Sequence, residues 1–154
     1  MNNCELALKC RAKNAGTGVW VYGYPVPFPD SVSGWALAGD HYLTPDKEYI
    51  KTEEFSEVLN DTICQFSGYT DYFNDPAFEG DIIFVEPKLY GVIRYGKHAP
   101  HISHDAKTGF GFFIEWLGPQ ADTYRTDIGY WMGADRAVIR GNIFDNPELL
   151  EVKA

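Results

Sequence analysis

Phe78-Glu79-Gly80-Asp81-Ile82-Ile83-Phe84-Val85 is the stretch of this 154-residue chain that decides the fold. Gly80 suits a backbone conformation that other side chains resist, and the carboxylate of Asp81 can accept hydrogen bonds from nearby amides. The chain then enters the apolar run Ile82 to Val85, which is typical of a strand buried on both faces. The stretch therefore predicts a tight turn that opens a small β-domain.

Four further runs are predicted as strands of the same domain. They are rich in β-branched and aromatic residues, and clusters of Gly, Pro, Asp and Asn separate them. The runs are Leu89 to Tyr95, Gly109 to Leu117, Asp127 to Met132 and Ala137 to Ile143. Five short strands in one part of the chain predict a small barrel.

A single helical turn is predicted to plug this barrel. Asn146 can cap the turn, Pro147 stands at its first helical position, and Glu148 meets its positive end. Leu149 and Leu150 supply the apolar contact.

The N-terminal part is predicted to begin with a β-hairpin. Val19 to Tyr24 alternates like a strand after the turn-like segment Asn14 to Gly18, so Glu5 to Lys13 becomes the first strand. Proline at every second position of Pro25 to Pro29 removes backbone donors. That segment is therefore predicted to be an extended edge or loop and not part of a central strand.

Composition places the chain among mainly β proteins. Aromatic residues make up 16% of the sequence, with 15 Gly and 9 Pro, which favours strands joined by turns. One short helix is expected within Thr52 to Asn60, where apolar residues recur at helical spacing. The predicted fold class is α+β, mainly β, with a β-rich subdomain at residues 1–60 and a barrel subdomain at 61–154.

Charge limits the choice of partners. The chain carries 13 Lys and Arg against 22 Asp and Glu, a net charge of −9, and its basic residues are scattered. Such a field repels phosphate backbones at long range, so bulk nucleic-acid binding is disfavoured. The sequence shows neither a leader-like start nor an apolar run long enough to span a membrane, and we expect a cytoplasmic protein without a membrane partner.

The cysteines predict neither a disulfide framework nor a zinc site. Cys4, Cys10 and Cys64 are odd in number and lack C-x-x-C spacing. A nucleophilic role for Cys64 would need a histidine base nearby, whereas its place in a β-rich apolar run favours a buried structural thiol.

Five blocks of the chain together resemble the YopX family of phage and prophage proteins. The blocks are GVWVYGY (Gly18 to Tyr24), TICQFSG (Thr62 to Gly68), FEGDII (Phe78 to Ile83), GVI (Gly91 to Ile93) and VIRGNIFDNPELL (Val138 to Leu150). The resemblance implies an N-terminal α+β part, a C-terminal part like an SH3 barrel, a phage origin and a tendency to self-associate. It implies no catalytic residues, since none are established for the family.

Two groups of residues are candidates for catalysis or metal binding. His98, His101 and His104 form an H-x-x-H-x-x-H pattern, and imidazole is a legitimate zinc or nickel ligand. A solvated loop between two strands explains that spacing without a metal. Glu79 and Asp81 could be a paired acid and base, but turn chemistry explains them at less cost. We expect no cofactor and no enzymatic activity.

Aromatic residues form the candidate interaction surface. Its members, all Trp or Tyr, are Trp20, Tyr22, Tyr24, Trp35, Tyr130 and Trp131. They could stack on unpaired bases, but the sequence shows no basic groove beside them. Core packing or a subunit interface accounts for the same residues.

The sequence thus predicts a non-catalytic, homo-oligomeric interaction or regulatory module that binds a host or phage protein. The alternative is a nucleic-acid-associated factor that uses the small barrel and its aromatics. A metal-dependent enzyme at the histidine loop is the third hypothesis.

Overall fold

A computed structural model describes residues 9–29, 34–39, 54–99, 108–119, 121–133 and 136–151, and the backbone of 41–43 and 50–52. The chain divides into two units, Met1–Phe66 and Ser67–Ala154. The division falls inside one continuous strand, Cys64–Thr70. Cys4 and the start of the predicted first strand lie outside the described residues.

The first unit is built from antiparallel strands. In chain order they are β1 (Cys10–Lys13), β2 (Trp20–Pro27), β3 (Trp35–Ala38), β4 (His41–Leu43), β5 (Ile50–Thr52), β6 (Phe55–Glu57) and the start of β7 (Cys64–Thr70). Hydrogen-bonded neighbours follow the order β6-β3-β2-β1-β7, while β4 and β5 pair with each other. A 3-10 helix, Asn60–Thr62, precedes β7.

The predicted hairpin between β1 and β2 is confirmed. Its turn is held by Asn14, whose Oδ1 accepts hydrogen bonds from the backbone N–H of Gly16 at 3.0 Å and of Thr17 at 2.9 Å. The strands place Cys10 and Ala12 in a small core with Leu37 and Val58. Cys64 is also buried and not disulfide-bonded, as expected.

Two sequence-based assignments in the first unit are wrong. The segment predicted as a helix from Thr52 contains β6, which pairs with β3 through Phe55 and Ser56. A two-turn helix is marginal in water, so hydrogen bonding to a neighbouring strand outweighs its weak helical pattern. Pro25 and Pro27 lie inside β2, a strand with neighbours on both sides.

The arrangement of β2 explains why the prolines are tolerated. β1 pairs with residues 20–23 of β2, and β3 pairs with residues 24–27. Phe28 N donates to Gly34 O on the β3 side at 2.9 Å. Because alternate residues of a strand point their N–H groups to opposite sides, Pro25 and Pro27 point away from β3. They face the side where the described pairing with β1 has already ended.

The second unit contains a four-stranded antiparallel sheet. Its strands are β9 (Asp81–Val85), β10 (Leu89–His98), β11 (Gly109–Trp116) and β12 (Ala137–Asn142), in the order β11-β10-β9-β12. The short strand β8 (Pro76–Phe78) is hydrogen-bonded to β7. Helix α1 (Ile128–Met132) and 3-10 helices at Ala121–Thr123 and Pro147–Leu150 complete the described elements.

The core of the second unit lies on one face of this sheet. β9 is central and almost wholly buried, as its apolar run predicts. The core side chains come from β8 to β12 and from α1, and they are Ala77, Ile83, Val85, Ile93, Ile114, Trp116, Ile128, Met132 and Ala137. The α+β, mainly β fold class with few short helices is confirmed.

The segment from Asp127 to Met132 is α1 rather than the predicted strand. Asp127 is its N-cap, and Oδ1 of Asp127 accepts a hydrogen bond from Tyr130 N at 3.3 Å. A capped turn satisfies amides that a strand would have to pair with a neighbour. The apolar residues at both ends, Ile128 and Met132, are then buried on one side of the helix.

Asn146 does not cap the last helical turn through its side chain, although Pro147 does open that turn as predicted. Asn146 N donates to Asn142 O at 2.9 Å, which folds this residue back toward β12. Its Oδ1 consequently accepts from Asn142 N at 3.2 Å. The side chain therefore closes the turn after β12 instead of capping the helix.

Candidate functional site

The Glu79-Gly80-Asp81 turn has the geometry that its sequence predicts. Gly80 has φ +80°, and a Cβ placed there would lie 3.4 Å from the side chain of Ile143. Gly80 N donates to Ile93 O at 2.8 Å, and Gly80 O accepts from Ile143 N at 2.9 Å. Asp81 is buried and accepts from Phe78 N at 2.8 Å. All these bonds join β9 to its surroundings, so the turn is structural.

The surroundings of Glu79 perturb the acidity of its side chain. Burial raises the pKa of the Glu79 carboxyl above 4.5, against the opposing effects of a hydrogen bond from the Tyr95 backbone and of the Arg94 charge. Its raised pKa is a consequence of packing at the edge of the core.

Three of the predicted aromatic residues share one face of β2. Trp20, Tyr22 and Tyr24 alternate along the strand, and basic residues of β1 lie opposite them. The Arg11 guanidinium is 4.8 Å from the centre of the Trp20 ring, and Lys13 Nζ is 5.4 Å from it. The basic residues that look scattered in the sequence thus meet the aromatics as cation–π partners.

Trp35 lies apart from that face. It pairs with Pro27, whereas Tyr24 pairs with Ala38, so strand alternation puts Trp35 on the face that carries the core residue Leu37. The first unit therefore groups three of its four predicted aromatics and separates the fourth.

Tyr130 and Trp131 lie on α1 in the second unit. Arginine side chains contact the Tyr130 ring, and a backbone carbonyl accepts a hydrogen bond from Trp131. The Tyr130 ring has the Arg125 guanidinium 4.2 Å and the Arg136 guanidinium 5.4 Å from its centre. Trp131 Nε1 donates to Arg125 O at 2.8 Å, and Trp116 Nε1 donates to the same oxygen at 2.6 Å. These bonds fix the Trp131 ring in position.

Trp131 forms part of a pocket of about 660 Å³ in the second unit. The pocket combines three aromatic rings, two guanidinium groups, an apolar base and one carboxylate. Its lining residues are Tyr72, Phe73, Val85, Glu86, Trp131, Arg136, Val138 and Arg140. Its size and composition are those of a small-molecule site, in which apolar walls carry a few polar groups.

The aromatic loop at the mouth of this pocket is held by Asp71, which is 3% exposed. Its Oδ1 accepts from the backbone N–H of Phe73 at 2.8 Å and of Asp75 at 3.0 Å. Its Oδ2 accepts from Ile139 N of β12 at 3.0 Å, and Tyr72 N donates to Ala137 O at 3.0 Å. The loop is thereby docked on the edge of β12, which contains Arg140 and directly follows Arg136.

The two arginines reach the pocket because of their positions around β12. Arg136, Val138 and Arg140 alternate, so they share the face opposite the core residues Ala137 and Ile139. The register shifts between Ile139 and Gly141, which sets Arg140 at a β-bulge. Among the described ion pairs, neither Arg136 nor Arg140 has a carboxylate partner.

The histidine pattern predicted a solvated loop between two strands, but His98 is the last residue of strand β10. It pairs with Gly109, and its ring stacks on Phe113 with centroids 4.9 Å apart. His101 and His104 lie outside the described residues. In the part of the chain that the structure describes, no three His, Cys, Asp or Glu side chains are grouped so that they could hold a metal ion.

Sequence reasoning missed most of this pocket. Tyr72 and Phe73 are not among the aromatic residues predicted to form an interaction surface, and Arg136, Val138 and Arg140 are not among the predicted site residues. The alternation of these last three residues was the available signal, because two cations on one face of a strand have to meet water or a ligand. None of the helices in the described part of the chain has the length and apolar character needed to cross a lipid bilayer.

No protein-family model and no curated protein matches this sequence. Among solved structures, the chain is similar to the crystal structure of protein EF1440 from Enterococcus faecalis, with a TM-score of 0.55. The two share 23% sequence identity over 93% of this chain and 97% of the other. At that level of identity the likeness concerns the fold, which the two proteins share over nearly their whole lengths.

Proposed function

We propose that this protein is a YopX-like, phage- or prophage-derived interaction or regulatory module that recognises its partner without catalysis. The observation that carries the proposal is the pocket of the second unit, where two arginines without a described carboxylate partner meet three aromatic rings. Aromatic residues and arginine are the side chains most enriched where binding energy is concentrated.

The exposure of the pocket aromatics supports a binding role. Tyr72 is 57% exposed and Phe73 64% exposed, and the two rings meet edge to face with centroids 5.1 Å apart. Fixing such large apolar side chains at the surface costs free energy in the free protein, which a bound partner can recover by covering them. The Asp71 hydrogen bonds keep the loop in place before any partner arrives, so little ordering remains to be done on binding.

Self-association through the C-terminal part belongs to the same proposal. Tyr95 of β10 and Phe110 of β11 are 48% and 74% exposed, and their rings are diagonal neighbours in edge-to-face contact with centroids 5.8 Å apart. At this point the apolar face of the sheet extends past the core. Phe112 packs against the core and also contacts Tyr95, with centroids 4.9 Å apart. A second copy of the chain is the partner that we expect on this extension.

The pocket also favours the alternative function, association with nucleic acid. Rings that stack on bases and guanidinium groups that bind phosphate are the two components of single-strand recognition. The net charge of −9 opposes a long polyanion, so this alternative ranks second. No described feature favours the third hypothesis, a metal-dependent enzyme at the histidine pattern.

Capture from the bacterial host tests the proposed function. The wild-type protein is cross-linked to its neighbours in host cells. The host or phage proteins captured with it are compared with those captured by a Phe73→Ala, Arg140→Gln double variant. Arg94→Gln is the matched control, because Arg94 lies outside the pocket and its ion pair with Glu115 is on the surface. A partner that the double variant loses and the control retains supports the proposal. Identical capture by all three proteins contradicts it.

A further inference from the structure

We propose that the pocket of the second unit binds a nucleotide, that is, a nucleobase linked to a phosphate group. This inference rests on the proposed function, because it names the ligand that the recognition pocket accepts. The base stacks among the aromatic rings, and the phosphate pairs with the arginines at the β12 side of the pocket.

The walls of the pocket fit a flat, aromatic group. Tyr72, Phe73 and Trp131 supply rings on the loop side and on α1, while Val85 and Val138 supply apolar surface between them. Phe73 is 64% exposed, so most of its ring is free to contact a ligand. Stacking on aromatic side chains tolerates any base, because every base has a π-face.

The cations of the pocket fit a phosphate group. Arg136 Nη1 lies 3.2 Å from Tyr130 Oη, and its guanidinium rests on the Tyr130 ring, which holds the side chain in place. The Arg140 guanidinium lies 5.4 Å from the centre of the Phe84 ring. Both contacts leave N–H donors available, and the planar guanidinium group matches phosphate oxygens in a two-pronged geometry.

Glu86 at the rim and the net charge of the chain set limits on the ligand. Glu86 is exposed and has no described ion pair, so it repels an anion that enters the pocket. The whole-molecule charge of −9 repels a ligand more strongly as the number of its phosphates grows. A pocket of about 660 Å³ holds one nucleotide unit. A free mononucleotide is therefore the expected source, and one unit of a single strand is the other source of the same chemistry.

Isothermal titration of the full chain at low salt tests the ligand class. The probes are adenosine monophosphate, adenosine and inorganic phosphate. We expect the monophosphate to bind at least about tenfold more tightly than adenosine, because only the monophosphate makes charge-assisted hydrogen bonds with arginine. Equal binding of both compounds, or no binding of the monophosphate at millimolar concentration, overturns the inference.

Point variants place the ligand in the pocket. Arg136→Gln and Arg140→Gln should each weaken binding of the monophosphate about tenfold, and Phe73→Leu should weaken binding of both nucleoside and nucleotide. Glu86→Gln should strengthen binding of the monophosphate about two- to threefold and leave adenosine unchanged, because it removes a repulsive charge. Arg94→Gln is the control that should change nothing. Loss of binding in the control together with the pocket variants overturns the location.

A fluorescein-labelled single-stranded dodecamer, measured by anisotropy, distinguishes the two sources. Tighter binding of the monophosphate than of the dodecamer per site supports a free nucleotide, and the reverse order supports a strand. Both outcomes support a nucleotide site. A protein partner captured through Arg140 and Phe73 by a chain that binds neither probe overturns the nucleotide inference while it upholds the proposed function.

Discussion

The carboxylate of Asp71 accepts a hydrogen bond from the backbone N–H of Ile139 at 3.0 Å, although 68 positions separate the two residues in sequence. The other oxygen of Asp71 accepts two N–H groups of its own loop. One buried side chain therefore fixes the loop conformation and also docks the loop on the edge of β12. An edge strand that would otherwise expose its donor is satisfied by this carboxylate.

Asp71→Asn should destabilise the protein by about 1–3 kcal/mol, because the NH2 group that replaces one carboxylate oxygen cannot accept the N–H group or groups bonded to that oxygen. The same variant should weaken every ligand of the pocket, since Tyr72 and Phe73 lose their fixed position. Urea denaturation measures the first effect and titration the second. Asp75→Asn, an exposed change in the same loop, should stay within about 0.5 kcal/mol of wild type. Equal stability of the two variants would contradict the role of Asp71 in fixing the loop on β12.

Gly80→Val should lower the free energy of unfolding by more than about 2 kcal/mol. The positive φ of this residue disfavours a β-branched side chain, and the added Cβ would already be in van der Waals contact with Ile143. Asp81→Asn should be milder, because it keeps one acceptor oxygen for Phe78 N. Thermal melts of both variants test the order. Gly109→Val is the control, because no atom lies within 4 Å of the added Cβ. A Gly80→Val protein that melts within a degree or two of wild type contradicts the assigned turn.

Glu79→Gln should stabilise the protein at neutral pH. The folded state binds the Glu79 proton more tightly than the unfolded state, whose carboxyl titrates near 4.5, so wild-type stability falls as pH rises from that value through the raised folded pKa. The glutamine has no such charge and still accepts a hydrogen bond from the Tyr95 backbone. Between pH 4 and pH 7, the melting temperature of Glu79→Gln should therefore exceed that of the wild type by a margin that grows with pH. A variant that is less stable than wild type at pH 7 speaks against this desolvation.

The protein should run larger than its 17.4 kDa monomer mass in size-exclusion chromatography coupled to light scattering. Replacing Tyr95 and Phe110 by serine should shift the mass toward the monomer, because it removes the exposed apolar extension of β10 and β11. Val19→Ser removes a residue of similar exposure, 63%, from the turn region of the first unit and should leave the mass unchanged. A monodisperse wild-type monomer at high micromolar concentration removes the self-association part of the proposed function.

The strands of the second unit could be predicted because their signals are local. The apolar run Ile82 to Val85 and the Gly80 turn specify β9 without reference to distant parts of the chain. The β-forming residues around Tyr130 predict a strand, whereas a single cap at Asp127 makes the segment a helix. In the same way β6 became a strand because β3 lies beside it. Tertiary partners outweigh propensity in short segments.

The pocket could not be predicted because four separate segments build it, namely the loop after β7, the end of β9, helix α1 and the segment of β12. The loop is joined to β12 by a long-range hydrogen bond from Ile139 to Asp71. Composition gave the aromatic residues but not which of them would stay exposed. The net charge of −9 is a sum over the whole chain, so it does not show that cations outnumber anions in this pocket beside β12.

The carbonyl oxygen of Arg125 receives the indole N–H groups of both Trp116 and Trp131, whose rings stand 5.0 Å apart and nearly perpendicular. Two indoles at that separation and angle are close enough for their ultraviolet transitions to couple, so we expect the pair to contribute to the near-ultraviolet circular dichroism. Trp116 is part of the core of the second unit, and Trp131 lines the pocket. A ligand that tilts the Trp131 ring would change the near-ultraviolet circular dichroism of the pair, which gives this protein an optical signal of its own for occupancy.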